Sequence, residues 1–232
     1  MTRTEATAPG SEGHRGRLRE RFLSVGLEGF AEHEVLELLL TLAIPRRDVK
    51  PQAKRLLDCF GSLRQVLNAP RGTLTSIEGI GDAAVTALGI VRAVAEMYLR
   101  QGVESSSTAL QLAELSAFWQ MRIGALSHEV FEVAYLDSAY RVLPGGIERL
   151  AEGTLDRAAV YSRRVMEAAV SRHAAALVFS HNHPNESAEP SEQDKLLTDA
   201  LILAAQSLEI KVVDHLIVTK ENVFSFRKEG LL

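Results

Sequence analysis

The chain has 232 residues, 46% hydrophobic and 24% charged, with 16 Gly and 7 Pro, a usage that excludes collagen-like, wholly disordered and disulfide-stapled classes. Its formal net charge of −4 is uneven: residues 1–100 carry 14 basic against 12 acidic side chains, and the remainder 12 against 18. Neither half is basic enough to announce nucleic acid by charge alone. No run reaches the roughly 18–20 apolar residues of a membrane span, the start lacks the apolar stretch of a secretory signal, and the single Cys59 cannot close an internal disulfide. A reducing cytoplasm is therefore the expected compartment.

Residues 1–16 mix Thr, Ala, Pro, Gly, Ser and charge without periodicity and read as a disordered tail. Arg15, Arg17, Arg19 and Arg21 follow as a basic run, which a solvated face explains as simply as a binding surface does. A small all-α domain is expected over 17–101. From Glu32 the segment EHEVLELLLTL is too densely apolar for a one-faced helix and predicts a buried one, ended by Pro45. Further helices are predicted over 49–60, stopped by Gly61, from a Ser62 cap to Leu67, over 74–78 and over 82–101. Cys59 sits among apolar neighbours and reads as a core thiol.

Residues 102–108, GVESSST, have linker composition, and the period changes beyond them. Strands are predicted over 129–136, 140–151, 175–180, 210–218 and 222–226, with helices over 156–172 and 191–207. That order makes 109–232 an α/β domain, a mixed sheet with flanking helices.

The chemistry concentrates in Ala175 to Asp194, AALVFSHNHPNESAEPSEQD. An apolar, hence buried, strand delivers His181 and His183 at its end, and residues two apart in an extended chain point to the same side. Two converging imidazoles with one carboxylate form a three-ligand catalytic zinc set that leaves a position for water, and Asp194 is the candidate carboxylate. Pro184 and Pro190 restrict the loop between them. The same residues admit a plainer explanation, since Ser191-x-x-Asp194 is a capping-box-like helix start that needs no metal.

His-x-His, ten residues that begin with Pro184, and Asp, with Pro-Ser ahead of the Asp, closely resembles the signature of JAMM (JAB, MPN+) metalloproteases in the form carried by the RadC family of bacterial proteins. The likeness extends from about Arg17 to the C-terminus and includes VVDHLIV, residues 212–218, and the closing VFSFRKEGLL. It implies one zinc held by His181, His183 and Asp194, lowering the pKa of its water to about 7. It implies Glu148 as general acid/base through the match Glu148-x-Leu-x-x-Gly153-Thr154, and Ser191 as a stabiliser of the oxyanion. The expected reaction is hydrolysis of a peptide or isopeptide bond in a protein or peptide substrate. Asp214 and His215 read either as supports behind the metal ligands or as structural, the structural reading being the simpler. This chain departs from the family in carrying Asn185-Glu186 where members usually continue His-Asn-His-Pro with Ser-Gly.

In the helical half, Gly79-Ile80-Gly81 between two short helices is similar to a helix-hairpin-helix motif, whose glycines expose backbone N–H groups to a DNA phosphate. Arg46, Arg47, Lys50 and Lys54 would widen such a patch, and DNA contact there would be independent of base sequence. The alternative to an enzyme is a DNA-binding or DNA-repair-associated protein with a structural or vestigial metal site; a metal-dependent nuclease is a third reading. Oligomeric state is left open by the sequence.

Overall fold

The computed structural model describes residues 11–105, 109–153, 158–185 and 187–232. The chain forms two compact units, dividing between Ala95 and Glu96. No described helix is long and apolar enough to cross a membrane.

The first unit is all helical: α1 (Ser11–Val25), α2 (Glu32–Ala43), α3 (Lys50–Phe60), α4 (Leu63–Asn68), α5 (Arg71–Thr75) and the start of α6 (Asp82–Ser105). Its core gathers Leu36 and Leu40 of α2, Ala53 and Leu56 of α3, Val66, Leu74, Ile80, Ala84 and Leu88. Four expectations are corrected here. Residues 11–16 belong to α1 rather than to a tail, and within α1 Arg21 pairs with Glu34 of α2 and lies over the Phe30 ring, neutralising part of the basic run. Helix α2 is one-faced after all, because Leu42 points away from the Leu36–Leu40 stripe and is 76% exposed. Cys59 is exposed, since it lies off the Ala53–Leu56 face that α3 buries. Residues 102–105 are the last turn of α6 rather than linker, held there because Val103 is buried in the second unit's core with Leu99 packed beside it, one turn earlier; residues 106–108 and Thr154 and Glu186 lie outside the described residues.

The second unit adds α7 (Leu112–Arg122), β1 (Val130–Leu136), β2 (Val142–Glu152), α8 (Ala158–Ser171), β3 (Ala176–Asn182), α9 (Glu192–Gln206), β4 (Lys211–Val218) and β5 (Val223–Ser225). The sheet order is β2-β1-β3-β4-β5. The β3–β4 pair is parallel and the other three are antiparallel, giving the mixed α/β sheet expected. Strands β1 and β3 are buried on both sides, as central strands covered by helices must be. Alternation sorts their side chains: Phe131, Val133, Tyr135, Leu177 and Phe179 face the core shared with α8 and α9. Val130, Ala134, Leu136, Ala176 and Val178 face the core shared with α7. Helix α7 was not anticipated by the sequence reading. It closes against β4 at Gly124, where a Cβ would stand 2.5 Å from the Thr219 carbonyl oxygen and 2.7 Å from that of Gln120.

Candidate metal centre

His181 continues the Leu177–Phe179 alternation and so emerges on the α8/α9 face at the carboxyl end of β3, with His183 one repeat further. The chain turns at Pro184 and re-enters at Ser191, the N-cap of α9, whose third helical residue is Asp194. A ligand crevice at the carboxyl ends of neighbouring parallel strands, here β3 and β4, is the usual place for a site in α/β sheets. Among the described residues, His181, His183 and Asp194 form the one group of metal-ligand side chains, all three buried.

Their contacts fix the proton on each ring. The Ser187 carbonyl has no proton to give, so the 2.8 Å contact with His183 Nδ1 places the proton on Nδ1 and leaves Nε2 bare. The Thr198 hydroxyl donates to the Asp194 carbonyl at 2.6 Å, so His215 Nδ1, also 2.6 Å from that hydroxyl, is the donor to it. His215 Nε2 is then the acceptor, 2.9 Å from His181 Nδ1–H. His181 Nε2 is bare as well. These two unprotonated nitrogens face one another at 3.0 Å, with Asp194 Oδ1 3.1 Å from the first and Oδ2 3.3 Å from the second. Two lone pairs and a carboxylate meeting at a buried point repel unless a cation lies among them. The three separations approach the roughly 3.3–3.4 Å edges of a tetrahedron with bonds of about 2.0–2.1 Å, so the donor set fits a metal ion.

In the metal-free chain a proton can take the cation's place, and the electrostatics of Asp194 and His183 are those of that state. Burial raises the Asp194 carboxyl, but hydrogen bonds from His181 and His183, the charge of His181 and the Ser191 hydroxyl outweigh it and hold the group far below the ordinary carboxylate range. Burial lowers His183, yet its bonds to Asp194 and Ser187 and the charges of Asp194 and Glu129 leave it raised. His215, wholly buried and beside His181, is kept well below the ordinary imidazole value.

The capping box of Ser191 and Asp194 is formed, and the same geometry leaves the Asp194 carboxylate within the triad. Asp194 N–H donates to Ser191 Oγ at 3.2 Å, while Ser191 N–H and Oγ–H both donate to Asp194 Oδ2, at 2.7 and 2.6 Å. The capping box orients the carboxylate. The Ser191 hydroxyl proton is thereby committed to Asp194, and its oxyanion role would require it to swing away.

Glu148 is the residue the fold moves out of the site. It pairs with Val133 of β1, whereas His181 pairs with Phe131, so it lies two strands and one pleat repeat from the imidazole. That is on the order of 11 Å between backbones. Its carboxylate is tied instead to Arg172 at 3.0 Å, whose other branch donates to the Gly145 carbonyl. The carboxylate outside the triad whose charge reaches the His183 imidazole is Glu129. It lies just before β1, two residues ahead of Phe131, the partner of His181. Asn182, between the two histidines and directed to the other face, fastens this position: Val130 N–H donates to its Oδ1 at 2.8 Å and its Nδ2 donates to the His128 carbonyl at 3.0 Å. The sequence reading passed over Glu129-Val-Phe because only the pairing of non-consecutive strands reveals it.

Comparison with known proteins agrees with this architecture. Residues 109–231 match the model of the RadC-like JAB domain, and residues 13–86 match that of the UPF0758 N-terminal domain. The chain belongs to the UPF0758 family and carries a RadC-like JAB domain. A UPF0758 protein of Rhodobacter capsulatus is 42% identical over 222 residues, 93% of this chain and 100% of the relative. Others from Fusobacterium nucleatum and Ruegeria pomeroyi are 35% and 38% identical, covering 96% and 94% of this chain and 98% and 97% of theirs. The RadC-like domain coincides with the unit that holds the triad.

In the helical unit, Gly79 adopts φ +87° between α5 and α6, and a Cβ there would meet the Gln52 amide at 2.7 Å. Ile80 is buried in the core and Gly81 precedes α6. Carboxylates flank this turn: Glu78 pairs with Arg55 and Asp82 with Arg71.

Proposed function

We propose that the RadC-like domain is a zinc-dependent hydrolase of a peptide or isopeptide bond, acting through His181, His183 and Asp194 as metal ligands and Glu129 as general acid/base. The observation that carries this reading is the convergence of two imidazole nitrogens and a carboxylate on one buried point, with the charge of Glu129 acting on His183. A zinc ion in that donor set supplies Lewis acidity and a water that ionises near neutral pH. The residues do the rest. Asp194 and the two histidines hold the ion, Ser191 holds Asp194, and Glu129 takes the proton from water and returns it to the leaving amine. A single cation site with one carboxylate suits acyl chemistry better than the paired metals common in phosphodiester cleavage.

The helical unit has a different part. With Gly79 packed on the Gln52 amide, Ile80 buried in the core, and Glu78 and Asp82 engaging Arg55 and Arg71, we read the turn as a packing device. The domain then acts in the cytoplasm on protein or peptide without requiring DNA.

The test is hydrolysis of fluorogenic peptide and isopeptide substrates by chelator-stripped protein reloaded with zinc. Turnover should return with the metal, fall by about 10²–10⁴ in Glu129→Gln and survive in Glu148→Gln. Loss in Glu148→Gln with retention in Glu129→Gln would reverse the assignment. Full zinc uptake without turnover of any substrate would favour the second reading, a binding protein with a structural metal, which the commitment of Ser191 to Asp194 also suits.

A further inference from the structure

The imidazole of His215 has no place in the chemistry above, yet it is fully buried and every polar atom of its ring is engaged. Its ring is stacked on Phe226 at 4.9 Å and met edge-on by Phe131 and Phe179, each at 5.9 Å. It cannot tilt without displacing one of three aromatic rings. From this box it reaches His181 Nδ1 with one nitrogen and the Thr198 hydroxyl with the other. Thr198 sits one helical turn beyond Asp194 on α9 and donates to the Asp194 carbonyl. A closed chain of donors therefore runs from one ligand to another: His181 Nδ1–H to His215, His215 Nδ1–H to Thr198, Thr198 O–H to Asp194.

We propose that Thr198 and His215 are positioning residues for the metal, a two-residue relay that fixes His181 in the tautomer whose bare Nε2 faces Asp194 and His183. The proposal rests on the metal-binding part of the reading above and is independent of what, if anything, the domain hydrolyses. The relay works by counting protons. The Asp194 carbonyl can only accept, which orients the hydroxyl. The hydroxyl oxygen then accepts, which places the His215 proton on Nδ1 and leaves Nε2 as the sole acceptor for His181. Reversing any link would put a proton on His181 Nε2, where the ion belongs. His183 is fixed separately, by the Ser187 carbonyl, so the relay governs one ligand of the three.

The relay makes a distinction between two nearly isosteric changes. Thr198→Val keeps the volume and removes the hydroxyl, whereas Thr198→Ser keeps the hydroxyl. Zinc affinity is measured on the full chain, stripped by chelator, by competition with a chromogenic chelator. Thr198→Val should bind zinc about 10–100-fold more weakly than wild type, and Thr198→Ser should stay within a few-fold. Equal zinc affinity in wild type and Thr198→Val, or equal losses in the Val and Ser variants, would overturn the relay while leaving the metal site standing. A packing role alone would lower the melting temperature of the metal-free variants and leave the zinc constant unmoved. If Thr198→Val does not fold, the ¹⁵N spectrum of zinc-loaded wild type decides instead: protons on Nδ1 of both His181 and His215 support the relay, and a proton on His215 Nε2 overturns it. A wild-type chain that takes up no zinc sinks the relay together with the metal reading, an outcome separate from all of these.

Discussion

The Nε2 atoms of His181 and His183 stand 3.0 Å apart, and with both rings neutral neither carries a proton, so the site's pH behaviour follows from whether a proton or a metal ion fills that gap. In the metal-free chain His183 is raised above its ordinary value of 6.5 and Asp194 is depressed below 3.8. A raised imidazole adds stability that is complete below 6.5 and is lost as pH climbs through the folded value. A depressed carboxylate adds stability that is present above 3.8 and survives far into acid. Metal-free protein should therefore melt at lower temperature as pH rises past 6.5, while added zinc, which displaces the His183 proton, should stabilise increasingly across the same interval. Melting curves with zinc and with chelator from pH 5.5 to 8.5 check this; parallel curves would contradict it. At the same scale Ser191→Ala removes a cap and a hydroxyl contact to a ligand carboxylate. It should cost about 1 kcal/mol of stability and weaken zinc as well, which calorimetry with and without the ion separates.

Elements place these residues, and two close approaches show how firmly. Gly79 joins α5 to α6 in a left-handed conformation with the Gln52 amide against it, so Gly79→Ala should cost about 1–3 kcal/mol, read in chemical denaturation of the intact chain. Glu132 is buried on the α7 side of β1, accepting from Trp119 Nε1 at 3.1 Å and from Arg122 and Arg149 at 2.9 Å each. Glu132→Gln, which keeps the shape and removes the charge two guanidiniums face, should destabilise by about 1–3 kcal/mol without altering zinc affinity, since Glu132 points away from the triad. The sequence made the strands and the ligands legible because their signals are local. Val, Phe and Leu mark β1 and β3, His181 and His183 are two apart on one strand, and Ser191-x-x-Asp194 is a helix start. It does not show that Glu148 pairs with Arg172 or that the charge of Glu129 acts on His183, because both depend on which strands become neighbours. The β1–β3 pairing spans some fifty residues and a whole helix, and no short motif encodes a register. Helix α7 escaped for a related reason: Leu115, Phe118 and Trp119 make a short apolar stripe whose purpose appears only once the sheet is there to receive it.

At the scale of the molecule, α6 runs through what composition had marked as the start of a linker, and its final turns belong to the second unit's core. Gly, Glu and Ser in residues 102–105 are poor helix signals, but Leu99 and Val103 one turn apart supply the burial that overrides them. The family match divides the chain in a similar way, with the RadC-like JAB domain beginning at residue 109 and the N-terminal domain ending at residue 86. The proposed chemistry lies in the later part, in the buried His181, His183 and Asp194, with Glu129 as the proposed acid/base and the proposed relay behind them. The central claim is that this donor set exists to hold a metal ion. Elemental analysis of wild type, Glu129→Gln and His181→Ala, prepared without nickel or chelator and supplied with zinc, tests it directly. The account predicts about one zinc per chain in wild type and in Glu129→Gln and a loss in His181→Ala. Zinc absent from wild type, or retained undiminished in His181→Ala, would contradict it.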